Sequence, residues 1–317
     1  MKTYLLSALL SFVLSFVFCL ILIPILRRLK AGQNILVYVK EHKNKSGTPT
    51  MGGIAFIAAA VLATAVFSNG FDRTLVLCIV IGLAYMSIGL LDDFLKRKHK
   101  ENLGLKAWQK FSFQAIVAIF SGIYCIRADL TAQYLPFFNR SIEVGGWIFP
   151  LSVFVFLATV NAVNLTDGLD GLAAGASVPF FLFLGVFIHL EQGNVGESIL
   201  SFCLVGALIA YLLFNVSPAS VFMGDTGSLA LGGFASALSL FSGNALYVPI
   251  LGICFVFSVI SVIVQVIYYK ATGGKRVFLM APVHHHFQKK GYSETRISYA
   301  YFLLTAFVGC LCLLAIL

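Results

Sequence analysis

The residues of this chain that could do chemistry fall in four groups: Asp92-Asp93, Asp167 with Asp170, Asp225, and His284-His285-His286. Clustered carboxylates serve as general acids and bases, as nucleophiles or as ligands for a divalent cation. Glycines stand beside two of the groups (Gly168, Gly171, Gly224, Gly227), where backbone can approach a ligand closely. Taken singly, each acidic group has a plainer reading: a solvated helix end, two acids sharing a helix face at i, i+3, or an N-cap. The histidine triplet is followed by Lys289, Lys290 and Arg296. Successive side chains on a helix point about 100° apart, so three adjacent rings cannot meet one zinc ion without irregular backbone. A phosphate suits that mixture of imidazole and ammonium better. The glycine-rich stretch from Lys45 to Gly53, which contains Thr50, reads as a capped turn or as an anion-binding entrance with free amides at a helix start. It lacks the G-K-[ST] ending of a nucleotide-hydrolysing loop.

The elements that must position these groups are set by the solvent. With 59% hydrophobic and 11% charged residues and a mean hydropathy of +0.94, the chain is too apolar for a soluble globular domain. A bilayer core takes about 20 apolar residues per helix. Ten stretches qualify: 3–26, 53–69, 74–91, 107–126, 146–164, 171–189, 198–214, 227–243, 246–268 and 297–317. The sequence predicts an all-α polytopic membrane protein of one domain, residues 1–317. The first stretch has no small-residue cleavage site before Arg27-Arg28 and reads as a retained transmembrane helix. All but four of the 22 Lys and Arg residues fall in alternate loops, the exceptions being Lys2, Arg73, Arg127 and Arg140. Cytoplasmic loops carry that excess, so both termini are expected outside and the chemical groups at the cytoplasmic face. The net charge of +9 is thereby a topology signal and an anchor for anionic lipid rather than a nucleic-acid surface. The seven cysteines lie in apolar spans with no C-x-x-C spacing and read as small buried hydrophobes. Residues 127–146 read as a short outer hairpin.

Sorted by side, the outer acids (Asp72, Asp129, Glu143, Glu191, Glu197) are scattered singly, whereas the inner ones collect at the ends of spans. Two of those inner loops hold no Lys or Arg. Carboxylates at membrane-helix ends without a basic partner in their own loop call for another counter-ion, and a divalent metal is the natural one. Bringing a phosphorylated lipid to a nucleotide diphosphate forces like charges together, which carboxylate-held Mg²⁺ offsets. The pattern is that of phosphoryl transfer at the inner leaflet.

Five segments in order, Thr48–Gly53 (TPTMGG), Asp92–Lys96 (DDFLK), Asn161–Ala173 (NAVNLTDGLDGLA), Phe222–Gly232 (FMGDTGSLALG) and Pro282–Thr295 (PVHHHFQKKGYSET), resemble the bacterial phospho-N-acetylmuramoyl-pentapeptide transferases. The resemblance spans essentially the whole chain. It implies an inner-membrane enzyme that moves phospho-N-acetylmuramoyl-pentapeptide from its UDP carrier to undecaprenyl phosphate, with Mg²⁺, releasing UMP and forming the first lipid-linked peptidoglycan precursor. It implies Asp92, Asp93, Asp225 and His284 as catalytic residues, with the three aspartates as metal ligands. Substrate contacts are implied for Lys45, Thr50, Lys110, Asn164, Asp167, Asp170, Phe222 (stacking on uracil), Gly224, Gln265, His284, His285 and His286. The family is commonly dimeric.

Related transferases load UDP-N-acetylglucosamine or a similar sugar onto the same lipid, but their histidine loop usually reads H-x-H-H followed by Arg. Here it reads Pro282-Val283-His284-His285-His286-Phe287, which favours the muramoyl-pentapeptide donor. Tyr292 stands where the family pattern leads one to expect Trp. A transporter of an anionic lipid or solute is the alternative from another class, suggested by Gln265 inside a span and the glycines from Gly227 to Gly233. Against it, the chain shows no internal repeat and its charged motifs lie at one face. Direct attack by the lipid phosphate is expected over a covalent aspartyl intermediate, because a phosphate monoester with a second pKa near about 6 is already largely a dianion.

Overall fold

Most of the apolar runs form long helices in the computed structural model, which describes residues 1–29, 47–68, 70, 72–99, 104–138 and 140–317. In lipid no water is at hand for backbone N–H and C=O groups, and a helix satisfies them within its own segment. In chain order the helices are α1 (Lys2–Arg28), α2 (Gly53–Phe67), α3 (Arg73–His99), α4 (Ala107–Arg127), α5 (Ile148–Thr166), α6 (Leu172–Gln192), α7 (Val195–Asn215), α8 (Gly224–Phe241), the short α9 (Val248–Leu251), α10 (Ile253–Ala271), the short α11 (Val283–Lys289) and α12 (Glu294–Ile316). Among the described residues eight of these are long and apolar enough to cross a membrane: α1, α3 to α7, α10 and α12. The chain is a multi-pass membrane protein.

The other two expected spans differ for separate reasons. α2 has 15 residues. α8 contains Asp225 and many Gly, Ser and Thr residues, yet Thr226 to Phe241 are all buried. It runs through the middle of the bundle with α3, α5 and α2 packed around it, so its neighbours rather than lipid meet its polar surface. Gly227 lies against Gly53 of α2, Gly232 against the Val160 backbone of α5, and Gly233 against the Tyr85 ring of α3. Close packing of small residues is what holds helices together where lipid is as apolar as the side chains.

The same logic is visible in α1. Ser7, Ser11, Ser15 and Cys19, four apart, are buried, while Leu5, Leu9, Val13 and Leu20 are exposed. The serines face α7, where Ser11 Oγ donates to Cys203 O (2.7 Å) and Ser15 Oγ to Ala207 O (2.8 Å). The first stretch is thus built into the bundle.

The predicted hairpin is present as β1 (Ala132–Leu135) antiparallel to β2 (Arg140–Glu143). It is tied to the C-terminal ends of α6 and α8, with Tyr134 N–H donating to Gly243 O (2.7 Å) and Tyr134 OH to Glu191 O (2.9 Å). That is the end of the bundle opposite Asp225. Three expectations need correction. Stretch 246–268 is not one helix but α9 and α10 separated at Gly252, where a Cβ would meet Val248 O at 2.7 Å. Cys310 is exposed on α12 rather than buried. Two outer acids expected in loops are helical: Glu191 lies in the last turn of α6 and Glu197 is buried in the first turn of α7.

Candidate active site

Four helix ends meet at one place. α3 contributes Asp92, Asp93 and Lys96 from one turn, α4 contributes Lys110 near its start, α5 contributes Asn164 near its end, and α8 contributes Asp225 from its first turn. The placement of α8 rests on Asp93, which is 1% exposed. A helix N-terminus leaves amides without intrahelical partners. Asp93 accepts two of them, Asp225 N–H (3.2 Å) and Thr226 N–H (2.9 Å), together with the Thr226 hydroxyl (2.7 Å). Gly224 enters the helix with φ +71°, and a side chain there would run into the Asp93 carboxylate and the Thr50 hydroxyl. The glycine is therefore demanded twice over, by conformation and by space.

The first and fourth motifs are bonded to each other. Phe222 N–H donates to Pro49 O (2.8 Å), Gly52 N–H to Phe222 O (2.9 Å) and Gly53 N–H to Met223 O (3.2 Å). This brings Thr50, 4% exposed, beside Gly224; its hydroxyl has no hydrogen-bond partner among the described residues. The half-buried Phe222 is fixed by the same ladder. Lys45 lies outside the described residues.

Asp225 is the hub. Its Oδ2 accepts from Lys110 Nζ (2.6 Å) and Lys96 Nζ (2.9 Å), and its Oδ1 from Asn164 Nδ2 (2.9 Å). Lys96 also pairs with Asp92 Oδ2 at 2.7 Å, while Asp92 Oδ1 accepts Leu105 N–H at 2.6 Å. A cleft of about 690 Å³ opens here, lined by Asp92, Lys96, Gly104, Lys110, Asn164 and Asp225. The loop that leads into Asp225 holds no Lys or Arg, and its counter-ions are two lysines delivered by other helices. Lys96 was not singled out as a site residue, although its i, i+4 spacing from Asp92 puts both on one helix face.

The donor set accommodates a divalent cation, in an altered form. Asp92 and Asp225 both turn an oxygen toward one point, taken by the Lys96 ammonium, so they are arranged around positive charge. Asp93 is engaged by α8, and among the described residues no three His, Cys, Asp or Glu side chains form a metal cluster. One or two carboxylates completed by substrate phosphates is the usual way Mg²⁺ is held.

Asp167 caps the end of α5. Burial, and then the negative charges of Asp225, Asp93 and Asp170, push its carboxyl up to about 8, with Lys96 opposing them. Asp170, 3% exposed, is built into the scaffold: Oδ2 accepts Ala219 N–H (3.1 Å), its N–H donates to Glu294 Oε2 (2.9 Å), and its carbonyl accepts Ser298 Oγ (2.8 Å).

The three histidines, on α11, have three different surroundings. His284 is fully buried, neither ring nitrogen has a partner among the described residues, and burial followed by the neighbouring His285 lowers its pKa to about 3. Burial thus favours the neutral form of its ring. His285 Nδ1 lies 3.1 Å from Gln288 Oε1. His286 Nδ1 accepts Leu279 N–H at 3.1 Å. A Cβ on Gly168 would lie 2.6 Å from His284 Nε2 and 3.0 Å from His285 Nε2, so the Asp167 loop rests directly on α11. Gln265 is occupied elsewhere: its Oε1 accepts Val277 and Phe278 N–H (3.1 and 2.9 Å) and its Nε2 donates to Phe278 O (3.3 Å). In this structure it anchors the segment before α11.

The glycosyl transferase family 4 model matches residues 74–243, and the phospho-N-acetylmuramoyl-pentapeptide-transferase signature 1 matches residues 45–57. The chain is 42% identical over 303 residues to the phospho-N-acetylmuramoyl-pentapeptide-transferase of Caldanaerobacter subterraneus subsp. tengcongensis, covering 94% of each chain. It is 39% identical over 313 residues to the protein of that name from Clostridioides difficile, covering 98% of this chain and 97% of the other. With the Listeria monocytogenes protein of that name identity is 44% over 281 residues, 87% of this chain and 86% of the other.

Proposed function

The chain belongs to the phospho-N-acetylmuramoyl-pentapeptide-transferase family, and from that membership we propose how its geometry carries the reaction. The enzyme transfers phospho-N-acetylmuramoyl-pentapeptide from the UDP-linked donor to undecaprenyl phosphate, forms the first lipid-linked peptidoglycan precursor and releases UMP. The observation that carries the reading is the pair of ammoniums on Asp225, Lys110 at 2.6 Å and Lys96 at 2.9 Å, at the edge of the cleft. Two cations beside a carboxylate that several helix ends converge on are suited to a pyrophosphate.

In this mechanism Lys110, held by Asp225 and Asn164, receives oxygens of the donor's pyrophosphate, and Lys96 does the same on giving up its place between Asp92 and Asp225 to the cation. Mg²⁺, held by Asp225 and Asp92, supplies further neutralisation of phosphate charge when bound. An oxygen of the lipid phosphate attacks the phosphorus attached to the sugar, and the bond from that phosphorus to the UMP oxygen breaks. Asp92 and Asp93 are poor nucleophiles as placed: each has both oxygens engaged by N–H, O–H or ammonium donors. Direct transfer is the simpler course. Asp93 acts by setting the N-terminus of α8, and Thr50, Phe222 and Gly224 shape the wall beside it. His285 and the Asp167 loop, with the buried His284 behind them, form the neighbouring donor-binding region.

The membrane arrangement belongs to the same proposal: ten spans, both termini outside, and the site at the cytoplasmic face of the bacterial inner membrane, where UDP-linked donors are found. The distribution of Lys and Arg supports it. Assembly as a homodimer follows from the family resemblance. Purified enzyme with undecaprenyl phosphate and Mg²⁺ should release UMP from UDP-N-acetylmuramoyl-pentapeptide and not from UDP-N-acetylglucosamine. Preference for the second donor would assign the chain to the alternative sugar, and net movement of lipid without UMP would make it a transporter.

A further inference from the structure

We propose that Gln114 is a positioning residue for the transfer, which fixes the height of α4 against α5 and thereby the place of the Lys110 ammonium. The inference rests on the reading above that Lys110 serves the donor's pyrophosphate.

Contacts between α4 and α5 recur every fourth residue along α4, which keeps them on one helix face. Lys110 Nζ reaches Asn164 Oδ1 at 3.4 Å, Gln114 Oε1 accepts from Asn161 Nδ2 at 2.8 Å, Ala118 O accepts from Ser152 Oγ at 3.3 Å, and a Cβ on Gly122 would meet the Phe149 ring. The bond between Gln114 and Asn161 is the shortest of the series and lies one turn deeper in the bundle than Lys110. Its direction is dictated locally. Asn161 Nδ2 also donates to Leu157 O at 2.8 Å, and a carbonyl oxygen only accepts, so Asn161 turns its NH₂ this way and Gln114 must answer with its carbonyl. Gln114 is 1% exposed and its Nε2 has no acceptor among the described residues. The arrangement gives up one buried hydrogen bond to keep the other. On the far side, Tyr85 OH of α3 donates to the Gln114 backbone carbonyl at 3.0 Å, and the Tyr85 ring packs on Gly233 of α8. Gln114 therefore ties α4 to the helices whose ends supply Asp92, Asn164 and Asp225, inside the span where no water competes. Lys110 Nζ is already 3.4 Å from Asn164. A slip of α4 away from it by one residue's rise, about 1.5 Å, would break that contact and leave the ammonium to Asp225 alone.

Purified protein in detergent tests this without substrate, through the rate at which a small amine-reactive ester labels Lys110, read by peptide mass spectrometry against the exposed Lys270. Gln114→Leu removes the bond to Asn161 and spares the one from Tyr85, which goes to backbone. It should raise Lys110 labelling about tenfold, the scale of one hydrogen bond. With the UDP-linked donor, undecaprenyl phosphate and Mg²⁺, the same variant should lower kcat about tenfold and hold KM for the donor within about twofold. In a Lys110→Gln background it should cost less than about a further twofold, because residues that act through one another do not add. Asn161→Leu removes the same bond from α5 and should give the same results, and it decides the matter should Gln114→Leu not fold. Unchanged Lys110 labelling in the folded variants overturns the proposal. So does a loss of kcat that persists in full in the Lys110→Gln background, which would make Gln114 a support of the fold alone. Faster Lys110 labelling in the variants, with a wild type that transfers nothing, would refute the proposed function and not the hold of Gln114 on Lys110.

Discussion

Lys110 Nζ donates to Asp225 Oδ2 at 2.6 Å, joining the start of α4 to the start of α8 across 115 positions of sequence. Lys110, which also reaches Asn164 Oδ1 at 3.4 Å, therefore positions the hub of the site and offers its remaining hydrogen to the cleft. Lys110→Gln keeps a donor but removes the charge. Turnover at saturating donor should fall by about 10² to 10³, the range for losing one electrostatic contact to a transition state, while the melting temperature holds. A loss confined to KM would mean that Lys110 only binds.

Asp93 and Asp92 are neighbours in sequence with different duties. Asp93 takes two amides and a hydroxyl at the N-terminus of α8, so Asp93→Asn turns an NH₂ toward donors in a buried place. The expected cost is about 1–3 kcal/mol of stability, read as a lower melting temperature in detergent. Asp92→Asn should lose activity with a smaller thermal shift. Equal thermal shifts would remove the distinction.

Most of the helices were legible in the sequence because lipid permits little else for a long apolar run, and the acids stood out because charge is rare in such a chain. Two kinds of fact were not legible. α8 reads as a weak span because its glycines and serines serve neighbouring helices, and only the packing shows why they are tolerated. The partners of each polar group were hidden as well. Lys96 reads locally as one more cytoplasmic cation, and nothing local shows that Gln265 accepts from Val277 and Phe278 or that Asp93 accepts the amides at the start of α8, because these hydrogen bonds come from residues far along the chain or from backbone.

His284 fixes a pH response. Its folded-state pKa lies near 3 against an ordinary imidazole value of 6.5. The unfolded chain takes up a proton below about 6.5 and the folded one does not until about pH 3. Its contribution to stability is therefore intact above pH 6.5 and is lost as pH falls through that window, by up to about 1.4 kcal/mol per unit. Thermal melts between pH 7 and 5 should show a shallower decline in His284→Gln than in wild type. Parallel declines would mean that the buried ring is already protonated.

The engaged oxygens of Asp92, Asp93 and Asp225 argue against a covalent intermediate. Incubation with UDP-N-acetylmuramoyl-pentapeptide labelled in the sugar-linked phosphate, with Mg²⁺ and without lipid, should leave no label on the acid-quenched protein. Stoichiometric label on an aspartate would establish a two-step course.

The most direct measurement is UMP release from UDP-N-acetylmuramoyl-pentapeptide in the presence of undecaprenyl phosphate, titrated with Mg²⁺, for wild type and Asp225→Asn. Wild type should show saturable dependence on Mg²⁺. The folded variant should lose turnover by at least about 10² at every Mg²⁺ concentration. An Asp225→Asn enzyme that releases UMP at the wild-type rate with the same Mg²⁺ dependence would contradict the placement of the reaction at the meeting of α3, α4, α5 and α8.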